Sequence, residues 1–374
     1  MMDIDGYVAQ FTDEPGYLDF ARVGPVGRGV KDEEYALSGL LGRARFGSLD
    51  LLEAQDARVR EAVASLIGFD SSHVVFQPNT SQGLMHAMFG ITGGVALSPA
   101  EFPSVTFAAV RAAESLGVLA PQWLTTDDGR VTPGNLRDQL DSSTVAVAVS
   151  LVDFRTGYLA DIEGIRQVIG DRLLIVDAIQ GFGVVEAPWH VADVIVSGGQ
   201  KWVRSGWGTG FLAMSDRALE QLTPVFSGFS ATDAEGTPLD EVLPPTRGVG
   251  AFSVSNADRV AQGRFAAALE EIAQVGVGVI RSRIIEATNR IIDIADEFGV
   301  TVVSSRPESE RAGIVVIEPA PEHLAILGAA LYNHGVTTTT REGRVRLSAH
   351  VSTNEETHEM LRAALMSFGS AINV

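Results

Sequence analysis

Two runs of sequence decide the fold: LLIVDAIQGFG at residues 173–183 and ADVIVSGGQKW at 192–202. Each holds a short apolar run, 173–176 in the first and 194–196 in the second, and closes on polar and glycine residues. An apolar run of that length, with no polar alternation, reads as a strand covered on both faces, which is the habit of parallel sheets. Asp177 closes the first run and Lys201 follows the second. Within the two runs the strands are 172–176 and 193–196; working outward, 73–76, 94–97 and 144–151 read as further strands, all bounded by Gly, Pro or acidic turns. Between them, 81–90, 104–116 and 162–169 carry helical periodicity, the second with Val105, Ala108, Ala109, Ala112 and Leu116 on one phase. Strand–helix–strand alternation of this kind predicts an α/β domain with a mostly parallel central sheet flanked by helices.

The rest of the chain has a different order. Residues 232–245 are rich in Gly, Pro and acid and read as a connection. Helical patterns follow over 256–275 and 281–298, then strand (300–304), strand (313–318), helix (321–334), strand (344–348) and helix (354–368). The expected organisation is a large domain over 31–245 and a smaller α/β C-terminal domain over 246–374. The first 30 residues hold a strand at 16–21 and a turn containing Gly24, Pro25, Gly27 and Gly29; they are too few for a domain and should pack on the small unit or at the cleft mouth.

Composition narrows the function. The 374 residues carry a net charge of −19, which disfavours nucleic acid and anionic membranes as partners because both are polyanions. With no cysteine in the sequence there is no disulfide framework, thiolate metal site or cysteine nucleophile. The N-terminus lacks a basic region followed by an apolar one, and runs such as 145–149 are too short to cross a bilayer. A soluble, cytoplasmic protein is expected. Of the 28 basic residues only Lys31 and Lys201 are lysines. A lysine kept in so arginine-rich a chain is suited to what arginine cannot do, namely lose its proton and form an imine.

Familiar nucleotide and hydrolase motifs are missing. Gly206, Gly208 and Gly210 form G-x-G-x-G, without the G-x-G-x-x-G spacing of a dinucleotide fold, so a nicotinamide-linked oxidoreductase is disfavoured. There is no P-loop, no H-E-x-x-H pair for a metal and no G-x-S-x-G elbow.

Asp177 and Lys201 carry the chemistry. Both lie at the carboxyl ends of consecutive candidate strands, where open α/β sheets bind ligands. A lysine and a carboxylate in one crevice suit pyridoxal phosphate: lysine holds the aldehyde, and the carboxylate keeps the pyridine nitrogen protonated so that the ring can accept electrons. Alone, the pair would read as a salt bridge at a sheet edge. PNTSQGL at 78–84 adds a phosphate seat, since it follows a strand and opens a helix with the hydroxyls of Thr80 and Ser81 at its N-terminus. SPAEFPS places Phe102 just after another strand, where a flat ring can stack on a heterocycle.

The ordered set NTSQGL, EFPS, LVDFRTGYLADI, VDAIQGFG, SGGQKW and VRLSAHVSTNEE resembles the class V aminotransferase family of fold-type I pyridoxal-phosphate enzymes, over nearly the whole chain. Relatives include cysteine desulfurases, selenocysteine lyases, kynureninases and isopenicillin N epimerase. The resemblance implies Lys201 as the Schiff-base lysine and proton shuttle, Asp177 at the pyridine nitrogen and Gln180 near the phenolic oxygen. It further implies Phe102 as the stacking ring, Thr80 and Ser81 at the phosphate and Arg346 on the substrate α-carboxylate. Three departures matter. No cysteine is present for a protein persulfide; Gln200 stands before the lysine where relatives often have histidine or tyrosine; and Arg155 is unusual and suggests a second acidic group on the substrate. The resemblance also implies a homodimer whose partner subunit completes the phosphate site, with Ser253 or Ser255 as the reaching residue. The expected function is transamination of a small α-amino acid, with a lyase or hydrolase of selenocysteine-lyase or kynureninase type as the alternative. A degenerate homologue with a binding role is the rival outside enzymology.

Overall fold

A computed structural model describes residues 2–233 and 240–372. The segment 234–239, in the middle of the expected connection at 232–245, lies outside the described residues. Seven strands build the large sheet: β1 (Val74–Phe76), β2 (Gly93–Leu97), β3 (Leu119–Trp123), β4 (Thr144–Ser150), β5 (Leu173–Asp177), β6 (Val194–Gly198) and β7 (Gly210–Met214). Their spatial order is β1-β7-β6-β5-β4-β2-β3, and only β7 runs antiparallel to its neighbours. The α/β class read from the sequence is the fold observed.

The unbroken apolar runs have a simple cause. On β5, Leu174 and Val176 enter a core shared with helices Gln55–Ile67, Ile162–Ile169 and Arg259–Val275. Leu173 and Ile175 enter a second core with helices Thr80–Gly90 and Pro103–Leu116 on the opposite face. Every β5 and β6 residue is buried, so both strands are apolar until their carboxyl ends, where Ser197 and Asp177 stand.

A smaller antiparallel sheet, order β10-β11-β9-β8, holds β8 (Thr301–Val302), β9 (Ile314–Glu318), β10 (Thr339–Arg341) and β11 (Arg344–Ser348). Helices Val277–Glu297, Leu324–Asn333 and Glu355–Ile372 contribute to its own core.

Several elements differ from expectation. Residues 16–21 form no regular strand; Tyr17 and Asp19 make isolated parallel bridges to Thr337 and Ser348. The stretch nevertheless docks on the small sheet, with the Leu18 amide on the Thr337 carbonyl at 3.0 Å. The helix expected from 256 starts at Arg259, because the Asp258 carboxylate accepts the amides of Val260 and Ala261 as its cap. That helix buries Phe265, Leu269 and Ile272 in the large-domain core, so a boundary at 246 would divide one packed unit. We propose a seam near Gly276, which turns at φ 94° between the two long helices.

Candidate active site

Lys201 is seated by a loop that folds back on itself after β6. The Gly199 amide donates to the Thr209 carbonyl (2.9 Å), and the Ser205 amide to the Gly199 carbonyl (2.9 Å). The turn is so tight that a Cβ on Gly199 would lie 1.9 Å from Ser205 Oγ. On the other side the Gly24 amide donates to the Gln200 carbonyl at 2.8 Å, and a Cβ there would fall 2.0 Å from the Lys201 carbonyl oxygen. The Gly/Pro turn seen in the sequence is thus a backbone clamp on the lysine.

Within this seat Lys201 is only 9 % exposed, with Nζ 5.3 Å from the centroid of the Phe102 ring. Burial pulls its ammonium down to about 8, partly opposed by the charge of Asp177 and reinforced by Arg346 and Arg341. Asp177, at the end of β5, is 2 % exposed and is pushed up to about 6, again chiefly by burial. Its Oδ1 accepts the Ile179 amide at 3.1 Å, whereas its Oδ2 is buried without a partner. The charge of each group acts on the other, and the orphaned oxygen calls for a donor that the protein does not supply.

Thr80 opens the helix Thr80–Gly90, capped by the Asn79 side chain on the Gln82 amide (2.9 Å). Its Oγ1 is also buried and unpartnered. A Cβ on Gly198 would meet that oxygen at 3.0 Å and Gln200 Oε1 at 2.5 Å, so glycine there leaves a cradle at which Thr80 and Gln200 converge. Ser81 is more exposed, its Oγ 2.7 Å from Ser104 Oγ. Leading helix amides have no intrahelical acceptor, and with the hydroxyls they form an anion seat.

Gln180 bridges the N-terminal stretch and the lysine loop. Its Nε2 donates to the Ala21 carbonyl (3.0 Å) and its Oε1 accepts from Trp202 Nε1 (2.8 Å). One bond at each end of the amide steadies the residue beside Lys201. Ser253 and Ser255 do not join the Lys201 cluster within one chain. They line a broad groove with Gln77, Pro78 and Gln82.

Arg346 on β11 is buried, with Nη1 on the Phe154 carbonyl (3.2 Å), Nη2 3.5 Å from Asp19 Oδ1 and Nε without a partner. Arg155 reaches Glu342 at only 3.8 Å and also has an unpartnered Nε.

Three functional neighbours carried no sequence signal that we used. Glu101, beside Phe102, accepts the Ser150 amide on both oxygens (3.2 Å) and the Ser150 hydroxyl (2.5 Å). Ser150 pairs with Asp177 across β4 and β5, and burial drives Glu101 up to about 7. Asp19 faces Arg346 from the N-terminal stretch. Arg204, at φ 60° and fully buried, forms an ion pair with Asp13, donates to the Pro25 carbonyl (2.6 Å) and Ser352 Oγ (2.8 Å), and stacks 3.5 Å from the centroid of Phe11.

A doubly covered α/β sheet with a buried lysine and carboxylate at its strand ends defines the architecture of fold-type I pyridoxal-phosphate enzymes. The chain belongs to the class V aminotransferase family, whose model matches residues 52–374. It is 27 % identical over 224 residues to a probable cysteine desulfurase of Methanothermobacter thermautotrophicus, covering 57 % of this chain and 56 % of that protein. It is 23 % identical over 223 residues to a kynureninase of Pseudomonas fluorescens, covering 57 % and 53 %. The chain spans about half the length of these curated relatives. Among solved structures, the apo cysteine desulfurase of Thermococcus onnurineus superposes with a TM-score of 0.84 at 20 % identity, covering 96 % and 95 % of the two chains. The cystine C-S lyase C-DES, in complex with cysteine persulfide, superposes at 0.83 and 20 % identity, covering 94 % and 97 %. The cofactor of the class is pyridoxal 5′-phosphate, and the orphaned oxygens of Asp177 and Thr80 fit it. Among the described residues no helix is long and apolar enough to cross a membrane.

Proposed function

We propose that this chain is a pyridoxal-phosphate enzyme acting on a small α-amino acid, with transamination as its reaction. The observation that carries the reading is the buried, partnerless Asp177 Oδ2 in the same crevice as a lysine whose ammonium burial has already weakened. When bound, the cofactor supplies an electron sink for the carbanion at the substrate Cα.

The chain's residues divide the remaining work. Asp177 holds a proton on the ring nitrogen; the positive charge of that nitrogen opposes the effect of burial and would bring the carboxylate down from about 6. Thr80, the helix amides, Ser81 and Gln200 hold the phosphate. Phe102 covers the ring face and keeps water from Lys201 Nζ. Lys201, whose ammonium burial draws down to about 8, would take the Cα proton in its neutral form and deliver it to C4′ of the cofactor, as transamination requires. Arg346 receives the α-carboxylate with the Nε edge that the protein leaves unpaired. Ser253 or Ser255 reaches the phosphate of a second copy in a homodimer.

The alternative is a β-elimination or hydrolysis of lyase type, supported by the C-S lyase and kynureninase relatives. With no cysteine in the sequence, sulfur relay through a residue of this chain is not available. The test is a visible spectrum of protein reconstituted with pyridoxal phosphate. A yellow band that borohydride bleaches and fixes to Lys201, absent in Lys201→Ala, is expected; a colourless mixture refutes the reading. Stoichiometric keto acid with amine transfer to an acceptor marks transamination, whereas release of ammonia or of the β-substituent marks the lyase.

A further inference from the structure

The overall charge of −19 is reversed at the mouth of the Lys201 crevice. Phe154, Arg155, Thr339, Arg341 and Arg346 line one small cavity. Two guanidiniums sit against the same ring: Arg155 Cζ is 5.5 Å and Arg341 Cζ 5.4 Å from the centroid of Phe154. That ring meets Phe102 edge-on at 5.1 Å, and Phe102 in turn is the ring beside Lys201 Nζ. The two cations therefore stand two aromatic rings from the reactive amine.

Their own acids do not neutralise them. The Arg341 side chain makes no ion pair or hydrogen bond among the described residues and lies against Phe154. Arg155 has one carboxylate, the exposed Glu342, at 3.8 Å, and leaves Nε buried and unpartnered. Neighbouring Arg344 is spent on Glu318 at 3.0 Å, and Asp19 faces Arg346. Like charges around one apolar ring repel one another, and an anion between them relieves that cost.

We propose that Arg341 and Arg155 form a second anion site, which makes the preferred substrate an α-amino acid with an acidic side chain. Arg346 takes the α-carboxylate, and the pair across Phe154 takes the distal acid. Phe154 sets the spacing between the two anions and keeps the guanidiniums apart. The inference rests on Lys201 being the cofactor lysine, and it concerns only which substrate is read.

The test uses the cofactor-loaded protein and separates the two readings. Calorimetric binding of succinate, a dicarboxylate without an amine, is compared with propionate; aspartate and glutamate are compared with asparagine and glutamine by their shift of the cofactor's visible band. Expected is a preference of roughly tenfold or more for the dianionic member of each pair. Arg341→Gln and Arg155→Gln should each shrink it, and the double variant should abolish it. Equal binding of the acidic and neutral members, or a preference that survives the double variant, overturns the inference while the Lys201 reading stands. Protein with no borohydride-sensitive band overturns both.

Discussion

Replacing Lys201 by methionine should make the cofactor-free protein more stable near neutral pH. Lys201 is buried, and its ammonium falls from 10.5 to about 8, chiefly by desolvation. At about 1.4 kcal/mol per tenfold, holding that charge in the fold costs about 3 kcal/mol at pH 7 as a ceiling. Methionine has similar length and no charge, so it removes the cost. Part of the gain is returned, because Asp177 loses the one cation that favours its ionised form and its carboxyl rises above about 6. A net gain of about 1–2 kcal/mol is expected. The sign of the pH dependence follows from proton counting. Between about 8 and 10.5 the unfolded chain binds more protons at position 201 than the folded one, so the wild-type protein gains stability as pH rises through that window. The methionine advantage is therefore full below pH 8 and fades toward 10.5. Urea unfolding of both proteins near pH 7 and near pH 10, with unchanged slopes, measures it. Other groups titrate in both proteins and largely cancel. A variant that is less stable at pH 7, or a difference that does not shrink at high pH, would refute the claim that burial governs this lysine.

Asp177→Asn keeps the volume and removes the charge facing the crevice; cofactor affinity by equilibrium dialysis should fall by about tenfold or more, and unchanged affinity would remove Asp177 from the site. Gly24→Ala places a methyl against the Lys201 carbonyl, a backbone atom that cannot swing away; we expect a loss of about 1–3 kcal/mol in thermal unfolding and a weaker borohydride-sensitive band, and an unaffected band would show that the N-terminal clamp is dispensable. Glu101→Gln should gain relative stability as pH rises from about 4.5 to about 7, the range in which the folded carboxyl still holds a proton that the unfolded chain has released; a flat difference across that range would contradict the buried environment assigned to it.

The central strands were legible because burial on both faces leaves only apolar residues to write. The run expected at 144–151 is β4 at Thr144–Ser150, and the runs before Asp177 and Lys201 lie within a residue or two of β5 and β6. Elements with a solvent face or unusual residues were not. β3 carries a proline at the sheet edge, where a missing amide donor costs nothing, and β7 opens on the last glycine of a run that looks like a loop. The same holds for the site. Lys201 and Asp177 could be found because their neighbours in sequence form the strand ends that present them. Arg341, Asp19 and Arg204 act at the crevice through tertiary approach from distant segments, for which a single sequence holds no local signal. Gln180 shows the converse: a motif places the residue, and only packing decides that its amide is taken by Ala21 and Trp202.

Arg204 ties Asp13 and Pro25 to Ser352, three residues beyond the lysine that everything else serves. During translation the seven-stranded sheet can be complete while that anchor still waits for residue 352 to leave the ribosome. A growing or truncated chain then presents a finished phosphate cradle with an unfastened lysine loop. On the proposed function, the seat of Lys201 is a late feature of folding, set only when the segment at residues 13–25 and the segment at 352 have come together.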